Sequence, residues 1–180
     1  ISAHQPKSVL TQVFFEPSPT LHDSITYDIT SWAMPYAYGL EAFAVETKLE
    51  ATSAYEKPTF TANQAGKTPV AYIAAWQGTR DVAFLSALLN AGIRVKYNEF
   101  PFEVEGKSFP AGSLMITKGG NEYISNFDQK MVDIANKFGV TLATTMTGYV
   151  DKGKDFGSPN VRVLQAPKVA LIGGEGTNSL

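Results

Sequence analysis

Cysteine is absent from the 180 residues. That excludes disulfide frameworks, thiolate metal sites and thiol nucleophiles, but leaves the compartment open, because many secreted bacterial proteins also lack cysteine. Histidine occurs only twice, at His4 and His22. A catalytic zinc centre takes three protein ligands, most often with two histidines among them. Neither histidine stands in an H-E-x-x-H or H-x-x-E pattern, since Gln5-Pro6-Lys7 follows the first and Asp23-Ser24-Ile25 the second. An excess of charge is lacking too. The formal net charge of −2 provides no electrostatic footprint for nucleic acid or an anionic membrane. No apolar run approaches the ~20 residues of a membrane-spanning helix, and the opening residues do not read as a signal peptide. A G-x-S-x-G elbow is missing, which removes a serine hydrolase of the α/β-hydrolase type. Other Ser/His/Asp arrangements are assembled in space and are not decided by spacing.

What remains is a foldable chain. Hydrophobic residues make up 44% and charged residues 18%, a globular rather than a disordered balance. Eleven Phe and eight Tyr supply a sizeable core. The length suits one domain, or one domain with a smaller attached piece. The opening at Ile1 rather than Met suits a processed protein or an excised domain.

Three regions are expected: an N-terminal segment over 1–50, a linker over 51–67 and an α/β domain over 68–180. Ile1-Ser2-Ala3-His4 reads as the tail of a strand. Pro6 and Ser8 suit a helix start, and Val9, Leu10, Val13 and Phe14 share one helical face before Pro17 and Pro19 end it. A second helix follows Thr30 or Ser31, tolerating Pro35 in its first turn. Its aromatic stripe of Trp32, Tyr36, Leu40 and Phe43 reads as core rather than as a ligand groove. Polar and small residues then mark the linker.

The third region alternates. Residues 70–76 read as a buried strand. Thr79 caps a helix over 80–91, with Val82, Leu85, Leu88 and Leu89 on one face. Residues 93–97 read as the next strand. Residues 102–104 and 114–117 flank a tight turn at Glu105-Gly106-Lys107. Asn121 opens a helix carrying Ile124, Phe127, Met131, Ile134 and Phe138, closed by Gly139. Residues 140–144, 161–164 and 169–172 complete a β-α-β-β-α-β-β order. That alternation predicts an α/β fold with a mixed, mostly parallel sheet and flanking helices, beside a smaller helical N-terminal segment. The last strand runs into Gly173-Gly174-Glu175-Gly176, which misses the G-x-G-x-x-G fingerprint and has no P-loop lysine after it. It is expected to open a βα unit that is cut off, so that the domain is truncated there.

Few residues are candidates for chemistry. His22 with Asp23 and Asp28 offers a metal set, against a capping or surface role. Glu103 and Glu105 share a strand face, but suit the edge of a solvated hairpin better than acid–base work. The loop Asp151-Lys152-Gly153-Lys154-Asp155-Phe156-Gly157 is charged and glycine-punctuated, with a surface turn as its simpler reading. Trp76, Asp151, Lys154 and Phe156 are the candidate ligand contacts. No catalytic, metal or cofactor residue is assigned.

Four stretches carry a resemblance: His4-Gln5-Pro6-Lys7; Asp23 through Trp32 to Gly39-Leu40; Gly106-Lys107-Ser108-Phe109 with Gly112-Ser113-Leu114; and Gly148 to Gly157. Together they resemble large secreted or periplasmic zinc carboxypeptidase-like proteins of the carboxypeptidase A type, common in Bacteroidetes. The resemblance implies an accessory region downstream of a peptidase domain, leading into a domain similar to class I glutamine amidotransferases, with an amidotransferase- or flavodoxin-like sheet. The implied partners are those two regions of the parent protein, with no nucleic acid and no membrane span. Zinc is implied only in the peptidase domain, since neither the H-x-x-E pair nor the amidotransferase cysteine occurs here. The implied function is that of a non-catalytic accessory segment. The alternatives are an independent module binding a peptide or glycan, and, with least support, a small enzyme.

Overall fold

A computed structural model describes residues 1–17, 33–50, 52–66, 68–171 and 173–174. Within them the chain forms, in order, α1 (Ser8–Phe15), α2 (Met34–Tyr38), β1 (Ala71–Ala74), α3 (Thr79–Asn90), β2 (Lys96–Asn98), β3 (Phe102–Val104), β4 (Lys107–Phe109), β5 (Leu114–Thr117), α4 (Phe127–Phe138), β6 (Ala143–Thr145) and β7 (Val161–Val163). Five strands make one sheet in the order β6-β1-β5-β2-β7, while β3 and β4 pair apart as a hairpin. Every one of these pairings is antiparallel.

The expected mostly parallel sheet of amidotransferase or flavodoxin type is therefore corrected. β1 and β2 both run against β5, so they are parallel to each other, and α3 crosses over between them. β5 and β6 both run against β1, with α4 as their crossover. The two βαβ units are real, but each straddles a strand of the other, giving the split βαβ arrangement. Alternation of strands and helices reports the direction of successive strands and not which strands touch.

Composition misleads in the same direction. β1 and β5 read Ala-Tyr-Ile-Ala and Leu-Met-Ile-Thr, the unbroken apolar pattern of a strand covered on both faces and common in parallel sheets. Here both faces are covered by different means. Tyr72, Ala74, Leu114 and Ile116 point to one side, against Phe84 and Leu88 of α3 and Met131 and Ala135 of α4. Ala71, Ile73 and Met115 point to the other, where the hairpin and a later loop bring Phe102, Val104, Phe109 and Phe156.

Local chemistry explains the elements. The β3–β4 hairpin closes through Glu105 and Gly106, with φ of 48° and 71°, and Val104 pairs Lys107 across the two-residue turn. Two successive positive φ values make a type I′ turn, whose twist suits antiparallel strands and whose second position favours glycine. The hairpin partner of β3 is thus β4, not the 114–117 strand expected to flank that turn. At the start of α3 the capping oxygen comes from Asp81 rather than Thr79: Asp81 Oδ2 accepts hydrogen bonds from the backbone N–H of Gln77 (2.6 Å) and Gly78 (2.9 Å).

Four further expectations change. α4 begins at Phe127, six residues after Asn121. Asn121 instead accepts from Arg94 N–H at 2.8 Å and donates to the carbonyls of Arg94 and Thr117, bracing a non-helical turn. Residues 1–4 form no strand. In the aromatic stripe Tyr36 is 71% and Phe43 82% exposed, because α2 is a five-residue helix that buries only Pro35. Trp32 lies outside the described residues, as do His22, Asp23 and Asp28. Residues 169–171 form no strand, and Ile172 is outside the described residues.

Residues 52–66 hold no helix or strand, yet they are tied to the domain. Asn63 and Asn136 bond reciprocally: Asn63 N–H and Nδ2 both donate to Asn136 Oδ1, and Asn136 Nδ2 donates to Asn63 O. Asn63 also donates to Val140 O and accepts from Leu142 N–H, so one half-buried amide spans the end of α4 and the entry to β6. Asn63→Ala is expected to lower stability by about 1–3 kcal/mol, since it orphans partly desolvated backbone groups. Urea unfolding measures the loss, and amide exchange at Leu142 should accelerate with it.

Candidate functional site

The 148–158 loop, which holds three of the four candidate ligand contacts, follows β6 and crosses the hairpin face of the sheet. Its fixed points are backbone bonds to β3. Asp151 N–H donates to Glu103 O at 2.7 Å, and Glu103 N–H donates to Lys152 O at 2.9 Å. The Lys152 ammonium adds an ion pair to Glu103 Oε2 at 2.8 Å. That contact raises the Lys152 pKa, chiefly through its hydrogen bond to Glu103 and then through the carboxylate charge.

Side chains complete the clamp. Asp151 Oδ2 accepts from Gly106 N–H at 3.0 Å, joining the loop to the hairpin turn. Asp155 Oδ1 accepts from Val150 N–H at 2.8 Å, and Glu105 Oε1 accepts from Met146 N–H at 3.1 Å. The two carboxylates of the expected pair, Glu103 and Glu105, therefore have separate partners. The aromatic member is turned inward: Phe156 is 5% exposed, its ring edge-on to Phe102 at 6.2 Å. Phe102 in turn stacks on Phe109 at 5.2 Å. Such ring pairs contribute about 0.5–1.5 kcal/mol beyond the burial itself.

Lys154 and Asp151 are exposed, with Lys154 O accepting from Asn98 Nδ2 at 3.5 Å. The loop leaves a shallow depression of about 640 Å³, lined by Gly148, Tyr149, Lys154, Asp155 and Phe156 among others but not by Asp151. Trp76, the fourth candidate, lies elsewhere: it is half-buried against the helix-side core, whereas Phe156 belongs to the hairpin-side core. The structure thus brings Asp151, Lys154 and Phe156 into one loop and leaves Trp76 outside it.

A second cluster gave no signal in the sequence. Tyr72, 3% exposed, donates its hydroxyl to Asp128 Oδ1 at 3.0 Å, and Lys118 Nζ lies 3.2 Å from Asp128 Oδ2. Burial foremost, then the hydrogen bond to Asp128 and its charge, holds the Tyr72 phenol well above its ordinary range. A phenol so held keeps its proton, and the cluster ties β1 and the end of β5 to the first turn of α4. The structure places Asp128 in the first turn of α4, where a carboxylate suits the helix dipole.

Among the described residues no group of three or more His, Asp or Glu side chains could hold a metal ion.

Two substitutions probe these sites. Gly153 has φ +105°, and a Cβ there would stand 2.8 Å from Phe102 Cβ and 2.9 Å from Pro101 O. Gly153→Ala is expected to destabilise by about 1–3 kcal/mol in thermal unfolding, and to open the 148–158 loop to limited proteolysis. Tyr72→Phe removes a hydrogen bond to a charged acceptor, expected to lower stability by about 1.5–3 kcal/mol at neutral pH. The phenol's folded pKa is raised, so its contribution is complete below the unfolded value of about 10 and is lost as pH rises towards the folded one. Urea unfolding between about pH 9 and about pH 11 should therefore show a shallower decline for Tyr72→Phe than for the wild type.

Compared with known proteins, the chain matches no family model, no curated protein and no solved structure.

Proposed function

We propose that this chain is a non-catalytic accessory segment, structural or substrate-orienting in role, of a secreted or periplasmic zinc metallocarboxypeptidase-like protein whose parent reaction is peptide hydrolysis. The observation that carries this reading is the use made of charged side chains around the 148–158 loop. Asp151, Asp155 and Glu105 each accept a backbone N–H, and Glu103 is paired with Lys152. Carboxylates held in this way set the shape of a loop, whereas general acid–base work asks for a group in reach of a substrate proton with its pKa near the working pH. The parent family rests on the resemblance carried by the blocks at 4–7, 23–40, 106–114 and 148–157. Under it, zinc and its ligands belong to the peptidase domain, and the partners are that domain and the amidotransferase-like region.

Metal analysis and a carboxypeptidase assay, run on the 180 residues alone and on the intact protein, test the proposal. The intact protein should hold zinc and release the C-terminal residue of a peptide, and the 180 residues should do neither. Zinc-dependent release by the 180 residues alone would overturn it.

A further inference from the structure

We infer that Glu105 and Asn63 close the outer edge of β6 against a second copy of this chain, each occupying with its side chain a backbone N–H that an added strand would need. The inference does not depend on the accessory role proposed above. β6 and β7 are the outer strands of the five-stranded sheet, and an outer strand with free N–H and C=O groups is a template for another chain.

The ladder shows which groups of β6 point outward. Lys118 N–H donates to Val70 O at 2.9 Å, and Ala71 lies opposite Thr117. Backbone groups alternate in direction along a strand, so those of Tyr72 face β5 and those of Ala71 and Ile73 face β6. Ala71 and Ile73 lie opposite Thr145 and Ala143, which leaves Leu142, Thr144 and Met146 pointing away from the sheet. Leu142 N–H donates to Asn63 Oδ1 at 2.8 Å, and Met146 N–H to Glu105 Oε1 at 3.1 Å. Of these three described residues, Thr144 alone keeps an N–H without a side-chain acceptor. A strand laid against β6 would have to displace both side chains to find a continuous ladder.

The other edge is blunted by its own neighbourhood. Glu99 N–H donates to Asn160 O and Leu164 N–H to Val95 O, so residues 160, 162 and 164 face β2. Val161 N–H then goes to Ser158 O at 2.9 Å, Val163 N–H stays open, and Pro167 has no N–H. At β6 the acceptors come from 79 and 41 positions away instead. Glu105 is also a costly choice for its place. It takes φ 48° at the first central position of the type I′ turn, where asparagine, aspartate and glycine are preferred. A residue held there against preference points to a use for its side chain, and the bond to Met146 is that use.

Glu105→Gly tests the inference, because glycine suits the turn while the acceptor is lost. Amide exchange at Met146 should quicken at least about tenfold. Sedimentation velocity over a concentration series should show self-association at least about tenfold tighter than in the unchanged chain. Glu105→Gln keeps an oxygen to accept the Met146 N–H and should behave like the unchanged chain. Thr144→Pro in the Glu105→Gly background should abolish the added association, since it removes an outward N–H of β6 and no ladder bond. Should proline upset the fold, Thr144→Lys serves the same end by setting like charges opposite each other across a symmetric pairing. Glu105→Gly associating no more than the unchanged chain would overturn the inference. So would equal association of Glu105→Gln, or association that survives both substitutions at Thr144.

Discussion

The register of β1 against β5 is the constraint on which the rest depends. Tyr72 faces Ile116 and Ala74 faces Leu114 on the helix side, while Ile73 faces Met115 on the hairpin side. A slip of one residue would send each of these side chains to the opposite core. Both cores are dense with apolar contacts, so the slip would mismatch two packed layers at once. This strand pair therefore determines where α3 and α4 settle, and also where the hairpin must lie to cover Ile73 and Met115. The helices and the hairpin touch opposite sides of the same few residues.

Polar side chains in this fold act mostly as braces for backbone. Asn121 serves the carbonyls and the N–H of two segments, Asn63 spans a helix end and a strand entry, and Asp81 caps the turn before α3. Each such bond is worth about 0.5–1.5 kcal/mol net, but a buried group left without its partner costs more. That asymmetry explains why irregular stretches such as 119–126 and 148–158 can be well placed without regular structure. Among the described residues no buried side-chain nitrogen or oxygen is left unpaired. It also bears on function, because a loop braced by its own carboxylates is a surface of fixed shape.

The sequence displayed elements better than neighbours. The helices over 80–91 and up to 138 were legible because apolar spacing of three and four is a local property, but the face of the first was only partly read: Val82, expected on it, is 53% exposed, while Phe84, not expected there, is fully buried. The turn at Glu105-Gly106 was legible too. The antiparallel sheet was hidden because β1 and β5 are shielded on both faces, which erases the alternation that normally marks an antiparallel strand. β4 was missed for a similar reason: Lys107 and Ser108 are exposed, and only Phe109 points inward. In the candidate site, the grouping of Asp151, Lys154 and Phe156 followed from adjacency in sequence. The inward turn of Phe156 depends on Phe102, 54 positions away, and the Tyr72–Asp128 bond spans 56. Periodicity cannot report contacts of that range.

The strand order has a consequence for synthesis. Neither neighbour of β1 is next to it in the chain: one is β5 at 114–117 and the other is β6 at 143–145. Long loops must close before these contacts form, a topology associated with slow folding. On the ribosome, Ala71–Ala74 will have emerged long before either partner and must wait as an exposed apolar segment. α3 can form early, but the surface it is shaped to cover is not complete until residue 145 has cleared the exit tunnel. The interleaving of the two βαβ units thus makes vectorial folding of this domain nearly all-or-none, with a nascent chain that needs shielding for most of its synthesis.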